Sequence, residues 1–458
     1  MSLTSSYLDL APLYGSNQEE QDNMRTFHDG KIKDDCFSEK RLLGFPPGVG
    51  VLLIMFNRFH NYTVEQLALI NENGRFNKPE DDPRTTNEKY DYDLFQTGRL
   101  ITCGLYINCI LKDYVRTILN LNRSDSVWDL DPRLSEHKSL FVTPAPEGLG
   151  NQVSAEFNLV YRWHAAISER DDKWTQQEYR NLFPGRDPAQ IPLPELLQTL
   201  GKWEAGLSAD PQKRPFANIE RGADGKLNDE KLVEILKDSI DDVAGAFGAN
   251  KVPAIMRSVE ILGIKQARSW NLATLNEFRS FFGLAKHETF ESINSDKDVA
   301  DQLRHLYEHP DLVELYPGLV VEEAKKSMEP GSGLCPSFTV SRAVLSDAVA
   351  LVRGDRFYTK DYTPRNLTSW GYKEADWDAT VNAGHVFYKL ILRAFPQHFK
   401  PNSVYAHFPL VVSAANKEIL RKLGRMHQFN FDKPTYAPKP ILITSYNATK
   451  LILENKID

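Results

Sequence analysis

Tyr161, Arg162, Trp163 and His164 are consecutive residues whose types could support redox chemistry. Their surroundings, residues 154–167, predict a helix, and residues three apart on a helix share a face. An imidazole is a common axial ligand of haem iron. A phenol beside it could exchange an electron and a proton, and then abstract hydrogen from a substrate C–H bond. The same residues also fit a half-buried helix with packed aromatic rings, so the tetrapeptide alone leaves both interpretations open.

Hydrophobic residues at helical spacing dominate the rest of the chain. Gly98 and Gly104 interrupt the second predicted helix, where each costs about 1 kcal/mol unless close packing requires a small residue. The predicted helices cover residues 51–71, 92–120, 154–167, 231–246, 255–282, 343–352 and 379–395. The one clear strand signal is residues 439–445, KPILITS, followed by the start of a further helix. The pattern predicts one large, mainly α-helical domain to about residue 430 and a short different segment after it.

The composition excludes several classes of protein. The 458 residues carry 55 Lys and Arg against 62 Asp and Glu, a net charge of −7, with ordinary fractions of charged and hydrophobic residues. These values exclude a disordered chain, a collagen-like fibre and a coiled coil. The acidic balance also argues against a nucleic-acid binder, because phosphate affinity depends on Lys and Arg.

The cysteines and the apolar segments narrow the class further. Cys36, Cys103, Cys109 and Cys335 show no C-x-x-C spacing, so neither a disulfide scaffold nor a structural zinc site is expected. We expect reduced, mostly buried thiols. The N-terminus does not read as a signal peptide, and the longest apolar run, residues 49–56, is far shorter than a transmembrane helix. A soluble chain with no transmembrane segment is therefore predicted.

Several ordered segments carry a family resemblance. Residues 151–164, NQVSAEFNLVYRWH, closely resemble the proximal-haem helix of the cyclooxygenase branch of the animal-type haem peroxidase superfamily. The other matching segments are DLAPLYG (9–15), FHDGKIK (27–33), RFHN (58–61), LFQTGRLITCGLYINCILKDY (94–114), NEFRSFFGL (276–284), ADQLRHLYEHPDLVELYPGL (300–319) and RGDRF (353–357). Within the superfamily, the chain resembles the fungal fatty-acid dioxygenases known as psi-factor-producing oxygenases or linoleate diol synthases. The resemblance implies a mainly α, cyclooxygenase-like helical domain.

The resemblance also implies roles for individual residues. His164 would be the proximal ligand of the iron of haem b, and Tyr161 would carry the radical that removes hydrogen from the substrate. Tyr114 matches a tyrosine that hydrogen-bonds the radical tyrosine, and Tyr316, in the YPGL motif, matches one that hydrogen-bonds the proximal histidine. The implied reaction adds the co-substrate O2 to an unsaturated C18 fatty acid, linoleate or oleate. The product is a hydroperoxide on the route to oxylipins.

The family's distal histidine has no match here. It belongs upstream of the DLAPLYG segment, but only eight residues precede Asp9 and none is histidine. This gap indicates either an N-terminally truncated domain or a domain that has lost part of its activation chemistry. His28 and His60 lie in matched segments that have other roles, so we expect them to be exposed or packed and not catalytic.

The same gap affects a calcium site. In the related peroxidases, a loop beside the distal histidine binds Ca²⁺ through oxygen ligands, as that cation prefers. Ser5, Tyr7 and Asp9 fall at three of the four ligand positions, but Ala11 occupies the last. The resemblance therefore predicts at most a remnant of a calcium site, at Asp9.

Two further readings stay open beside a dioxygenase. The chain could be a haem peroxidase that does not oxygenate lipid, or an inactive haem-binding fragment of the family. Tyr161 favours the dioxygenase, because ordinary peroxidases of the superfamily carry Arg three residues before the proximal histidine. Residues 1–430 would form this domain, and residues 431–458 would form a linker and the first residues of a cytochrome P450-like domain. The resemblance also admits a cytoplasmic location, association with lipid bodies or membranes, and a homo-oligomer.

Overall fold

A computed structural model describes residues 5–124, 131, 133, 146–325, 331, 333–334 and 336–437. Helices dominate this part of the chain, and β structure there is limited to isolated bridges such as the one between Arg25 and Ile32. The predicted mainly α-helical fold is confirmed. No described helix is both long enough and apolar enough to cross a bilayer.

In chain order, the described helices begin with α1 (Ala11–Tyr14), α2 (Gln18–Met24), α3 (Pro47–Ile70), α4 (Asn87–Asn108), α5 (Val115–Ile118), α6 (Phe157–Val160), α7 (Glu169–Leu182), α8 (Leu193–Ala205), α9 (Asp229–Ile240) and α10 (Arg257–Ser269). They continue with α11 (Leu275–Phe281), α12 (Phe290–Ile293), α13 (Lys297–Leu306), α14 (Leu315–Val321), α15 (Phe338–Gly354), α16 (Pro364–Leu367), α17 (Ser369–Ala375), α18 (Phe387–Ala394), α19 (Val404–His407) and α20 (Ser413–Lys422).

Helices α3 and α4 pack against each other in the main core. Pro47 begins α3, where its missing N–H would be unpaired in any helix. The glycines of α4 mark close approaches. A Cβ on Gly98 would come within 2.5 Å of Val64 Cγ1, and a Cβ on Gly104 would collide with the Tyr362 ring. The packing therefore requires small residues at both positions.

Helix α4 continues through a π-helical segment, Cys109–Tyr114, directly into α5. The helical prediction over residues 92–120 is thus confirmed. Hydrophobic periodicity did not predict that the helix widens locally into a π-helix. Such π segments occur frequently at functional sites. Asp113 fixes this one, because its carboxylate accepts hydrogen bonds from the backbone N–H groups of Val386 and Phe387 and lies 2.7 Å from His385 Nδ1. Tyr114 follows immediately as the last residue of the segment.

Three predicted helices differ clearly from the structure, and a fourth, 231–246, ends earlier than predicted, at Ile240. Residues 154–167 contain only the single α-helical turn of α6, so the predicted continuous helix is wrong. Residues 255–282 form two helices, α10 and α11. Between them Asn271 adopts φ 52°, and the Thr274 side chain begins a new helix by accepting the Glu277 N–H. The last of the three, 379–395, narrows to α18.

The expected burial of the cysteines and the expected exposed or packed placement of His28 and His60 are confirmed where the structure describes these residues. Cys36, Cys103 and Cys109 are buried free thiols. His28 is exposed, whereas His60 is fully buried and hydrogen-bonded. Cys335, the predicted strand at 439–445 and most of the predicted segment at 431–458 lie outside the described residues.

Candidate functional site

The chain turns sharply where the predicted site begins. Helix α6 ends at Val160, Tyr161 follows with φ −94° and ψ 14°, and a 3₁₀ turn starts at His164. The Trp163 indole N–H donates to Val160 O at 2.6 Å. In a continuous α-helix that carbonyl would accept the His164 N–H. The side-chain bond thus replaces a helical one, and Tyr161 and His164 lie on a turn and not on one regular helix.

Aromatic rings surround Tyr161. Its ring stacks on Trp163 at 5.0 Å between centroids and meets Phe157 edge-on at 4.9 Å. Burial of the phenol, followed by the negative charge of Asp347, raises the pKa of Tyr161 above its ordinary value. The residue as a whole keeps 37% of its surface exposed. Tyr161 is therefore a protonated phenol at neutral pH, held by rings but open on one side.

His164 is held through one ring nitrogen. Its Nδ1 makes a short contact with Glu260 Oε1, and the Tyr316 hydroxyl lies 3.4 Å from the same nitrogen. Tyr316 donates to Glu260 Oε1 at 2.8 Å. Burial and the neighbouring carboxylate raise the pKa of Tyr316, which keeps its hydroxyl protonated as a donor. The structure thus brings two sequence-predicted residues, His164 and Tyr316, together around a carboxylate that was not predicted.

The second ring nitrogen of His164 could serve as a metal ligand. Within the part of the chain that the structure describes, Nε2 makes no hydrogen bond, whereas Nδ1 is anchored. A histidine that ligates a metal commonly has its other ring nitrogen fixed by a carboxylate or carbonyl in this way. The donor set therefore fits a haem group bound through His164 Nε2.

Tyr114 lies near Tyr161 without bonding to it. Burial, and then the phenols of Tyr161 and Tyr106, raise the pKa of Tyr114. In the described structure no hydrogen bond joins Tyr114 to Tyr161. Tyr114 instead borders a mostly apolar cavity of about 520 Å³, which Leu10 and Phe56 also line.

A smaller cavity, of about 300 Å³, is lined by both Phe157 and Asp347. Burial, with a smaller effect from Glu156, raises the pKa of Asp347 to about 6. Asp347 was not predicted as a site residue, because an acidic residue within an apolar helix carries no distinctive spacing. Its charge acts on Tyr161, so it belongs to the electrostatic surroundings of the site.

At the predicted calcium position, Asp9 is engaged in a turn. Its Oδ1 accepts a hydrogen bond from the Ala11 N–H at 3.0 Å, and Ser5 Oγ accepts one from the Tyr7 N–H at 3.1 Å. The described residues hold no group of three or more His, Cys, Asp or Glu side chains placed to bind a metal ion. Ser5 and Asp9, which match two of the family's calcium positions, thus accept hydrogen bonds that shape the local turn.

Comparison with known proteins gives the site a context. A family model described as animal haem peroxidase matches residues 44–379. Psi-producing oxygenase A of Aspergillus fumigatus is 62% identical over 456 residues, covering 100% of this chain and 42% of that protein. Linoleate diol synthase of Gaeumannomyces graminis is 58% identical over 459 residues, covering 100% and 39%. Linoleate 10R-lipoxygenase of Aspergillus fumigatus is 57% identical over 461 residues, covering 100% and 41%. The chain thus spans about two fifths of the length of these relatives.

Solved structures agree at the level of fold. The fatty acid alpha-dioxygenase of Oryza sativa matches with a TM-score of 0.54 and 19% identity, covering 85% of this chain and 63% of that one. The Arabidopsis thaliana enzyme matches with 0.55 and 18%, covering 85% and 61%. The family match includes His164, Glu260 and Tyr316 and extends over most of the chain. The resemblance seen in the sequence is confirmed, and the chain belongs to the animal haem peroxidase family.

Proposed function

We propose that this chain is the haem-dependent dioxygenase part of a fatty-acid oxygenase, acting on an unsaturated C18 acid such as linoleate. The observation that carries the proposal is the arrangement at residues 161–164. His164 is anchored through Nδ1 and makes no described hydrogen bond through Nε2, and a protonated, partly exposed phenol stands three residues earlier. The names of its relatives, psi-producing oxygenase and linoleate diol synthase, support the substrate class.

When bound, the haem that the family implies supplies a one-electron oxidant, and the remaining steps belong to Tyr161 and the substrate. Tyr161 loses an electron and its phenolic proton. The resulting phenoxyl radical takes one hydrogen atom from a substrate C–H bond and becomes a phenol again. O2 adds to the carbon radical, and the peroxyl radical takes the hydrogen atom back from Tyr161. The balance is one fatty acid and one O2 converted to one hydroperoxide, with the tyrosyl radical restored.

Tyr114 is proposed to support Tyr161 from the end of the π-helical segment. The support for this role is electrostatic proximity, since the Tyr161 phenol acts on the pKa of Tyr114. Because no described hydrogen bond joins the two residues, Tyr114→Phe should reduce oxygen uptake without abolishing it. Asp9 is proposed to order its turn through the Ala11 N–H, and calcium has no part in the proposal.

The domain assignment is likewise a proposal. Residues 1–430 would form the dioxygenase domain, and residues 431–458 would lead into a P450-like domain. The segment just after residue 430 still touches the helical body, because the Thr435 and Ala437 N–H groups donate to backbone carbonyls of His398 and Gln397. A chain ending at residue 437 should therefore bind haem as well as the 458-residue chain, measured by titration of the Soret band.

The test of the main proposal uses the purified chain loaded with haem b. Wild type should give a Soret band and consume oxygen when linoleate and a peroxide activator are added. His164→Ala should lose the Soret band, and Tyr161→Phe should keep it but consume no oxygen. Matched controls are His305→Ala and Tyr92→Phe, which change exposed residues outside the site and should behave as wild type.

Each contrary outcome points to a different reading. Oxygen uptake that survives in Tyr161→Phe would contradict the radical role of Tyr161. Haem-loaded wild type that oxidises a small phenol with peroxide, but takes up no oxygen with linoleate, would indicate a peroxidase. A wild-type chain that binds no haem would be an inactive member of the family.

A further inference from the structure

We propose that Glu260 is a positioning residue for His164. By accepting a hydrogen bond from Nδ1, it fixes the orientation of the imidazole and makes Nε2 a stronger electron donor to iron. The inference rests on the proposed function, because it concerns how His164 would serve as a haem ligand. It assigns a role to a residue that neither the sequence motifs nor the family match singles out.

The contacts place one carboxylate oxygen at the centre of the arrangement. Glu260 Oε1 contacts His164 Nδ1 and also accepts the Tyr316 hydroxyl at 2.8 Å. The Tyr316 hydroxyl lies 3.4 Å from the same imidazole nitrogen, so it bonds mainly to the carboxylate. A proton on Nδ1 is shared with Glu260 Oε1, which leaves the lone pair of a neutral imidazole on Nε2.

The surrounding fold holds this carboxylate in place. Glu260 lies in the first turn of α10, and its side chain and that of His164 are each only 21% exposed. A second link joins the same two segments, because Arg162 Nη2 donates to Gln266 Oε1 at 2.6 Å. Two links from residues 162–164 to α10 make this a fixed arrangement and not a passing surface contact.

The chemical consequence follows from hydrogen bonding to the ligand. A carboxylate that accepts the N–H of an imidazole makes that imidazole more basic and a stronger electron donor. Hydrogen bonding to an axial ligand is one of the means by which a protein tunes haem iron. Glu260 should therefore strengthen the iron–histidine bond and lower the reduction potential of the bound haem. Tyr316 should moderate the effect, since its hydroxyl withdraws charge from the same oxygen.

The experiment measures the haem-loaded chain by two methods that do not depend on turnover. One is the ferric/ferrous midpoint potential, and the other is the iron–histidine stretching frequency of the ferrous form. Glu260→Gln should raise the potential and lower the frequency, and Glu260→Asp should restore both in part. Tyr316→Phe should shift both in the opposite direction, because it removes the donor that competes with Nδ1. Glu195→Gln, on the adjacent helix α8, should leave both unchanged because Glu195 pairs with Arg186.

The outcomes separate this inference from the proposed function. A wild-type Soret band that depends on His164, together with unchanged potential and frequency in Glu260→Gln, would overturn the role of Glu260 alone. Equal shifts in Glu260→Gln and Glu195→Gln would overturn it too, because the effect would not be specific. A wild-type chain without a Soret band would overturn both proposals. If Glu260→Gln fails to fold, a shift of the same sign in Glu260→Asp supports the inference, and wild-type values overturn it.

Discussion

Gly263 determines how closely α10 can approach Tyr316. A Cβ at this position would lie 2.5 Å from Tyr316 Cε1 and 3.0 Å from Arg162 Nη1. The first distance is far too short for two carbon atoms, the second is tight for carbon and nitrogen, and the Tyr316 ring is almost fully buried in a closely packed interior. Gly263 therefore lies one turn after Glu260 in α10, at the point where the Tyr316 ring must fit to donate its hydrogen bond to Glu260.

Gly263→Ala should consequently destabilise the chain by about 1–3 kcal/mol, the usual cost of overpacking a core. It should also weaken haem binding, since the clash with Tyr316 and Arg162 pushes α10, which carries Glu260, away from His164. Urea unfolding of the haem-free chain and Soret titration measure the two effects separately.

The chain offers a matched control for this substitution. Gly201 also lies inside a helix, α8, but a Cβ there would meet nothing within 4 Å. Gly201→Ala should therefore stabilise the chain by about 0.5–1 kcal/mol, because Ala costs less backbone entropy in a helix. Similar stability in both variants would show that Gly263 is not sterically required.

At the scale of helices, periodicity in the sequence predicted the long ones well and the broken ones badly. The predicted helix at residues 51–71 corresponds to α3. It was predictable because α3 is buried along most of its length, which places apolar residues at helical spacing throughout. The predictions of continuous helices at 154–167 and 255–282 were wrong because local hydrogen bonds of side chains interrupt the helices there. Trp163 takes a backbone carbonyl, and Thr274 caps a new helix. The second signal was readable, since Thr274 and Glu277 have the spacing of a capping box.

The site was predictable to a similar degree. Tyr161, His164 and Tyr316 stand in motifs, so a family resemblance could identify them. Glu260 lies 96 residues beyond His164, and only the packing of α10 brings it to the imidazole. A single glutamate in an amphipathic helix reads as a surface residue. No spacing within the sequence would have distinguished it.

The cap at Thr274 can be tested directly. Thr274 Oγ1 accepts the Glu277 N–H, and the Thr274 N–H donates to Glu277 Oε2 at 2.8 Å. Thr274→Ala should lower the free energy of unfolding by about 1 kcal/mol, the common cost of losing an N-cap. Thr274→Ser keeps the hydroxyl and should retain most of that stability. Equal losses in the two variants, measured by urea unfolding, would mean that the methyl group matters and the cap does not.

A buried carboxylate joins three elements behind the site. Glu322, just after α14, accepts hydrogen bonds from Arg279 of α11, from the Thr339 hydroxyl and N–H at the start of α15, and contacts His287 Nε2 at 2.9 Å. Burial opposes ionisation, but these donors outweigh it and lower the pKa of Glu322 to about 2. The carboxylate is therefore ionised and fully partnered in the folded chain.

Glu322→Ala should destabilise the chain by about 3–5 kcal/mol, because it leaves the Arg279 guanidinium buried without its partner. Thermal unfolding of the haem-free chain measures the loss. Glu291→Gln is the control, since Glu291 pairs with Arg304 in an exposed position and should matter little. A small effect of Glu322→Ala would show that solvent or a neighbouring group replaces the carboxylate.

Across the whole molecule, the buried residues fall into separate apolar clusters. The largest contains residues of α3 and α4, and a second contains Leu275 and Phe278 of α11 with Leu315 and Leu319 of α14. The site segment belongs to the smaller ones, because Val160 lies in the second cluster and Leu159 packs with Tyr316 in a third. Residues that contact the imidazole thus come from the part of the molecule with the smaller core, whereas Tyr114 extends from the helix of the larger one.

Two buried histidines, His60 and His407, should make the stability of the folded chain depend on pH. Burial lowers the pKa of His60 and of His407 to about 4 each, with a smaller effect of His385 on the second. Neutral His60 is fully bonded, since Nδ1 accepts the Tyr14 hydroxyl at 2.8 Å and Nε2 donates to Gly30 O at 2.9 Å. A protonated His60 could no longer accept the Tyr14 hydroxyl at Nδ1 and would bury a charge.

The sign of the pH effect follows from proton uptake. A histidine with a pKa of about 4 when folded and 6.5 when unfolded binds more protons in the unfolded chain between these values. Its contribution to stability is complete above pH 6.5 and is lost as the pH falls toward 4. Glu322 acts in a lower window, since its contribution is complete above pH 4.5 and is lost as the pH falls toward 2.

Between pH 7 and pH 5, the chain should therefore lose on the order of 2 kcal/mol of unfolding free energy for each of the two buried histidines. His60→Gln offers a donor and an acceptor of similar reach but does not titrate. It should therefore remove the contribution of His60 and make the unfolding free energy depend less steeply on pH. His28→Gln, at an exposed position, should leave the slope as in wild type. Urea unfolding at half-unit pH steps measures this dependence for wild type and for the two variants. A wild-type slope in His60→Gln would mean that acid sensitivity in this window arises elsewhere in the molecule.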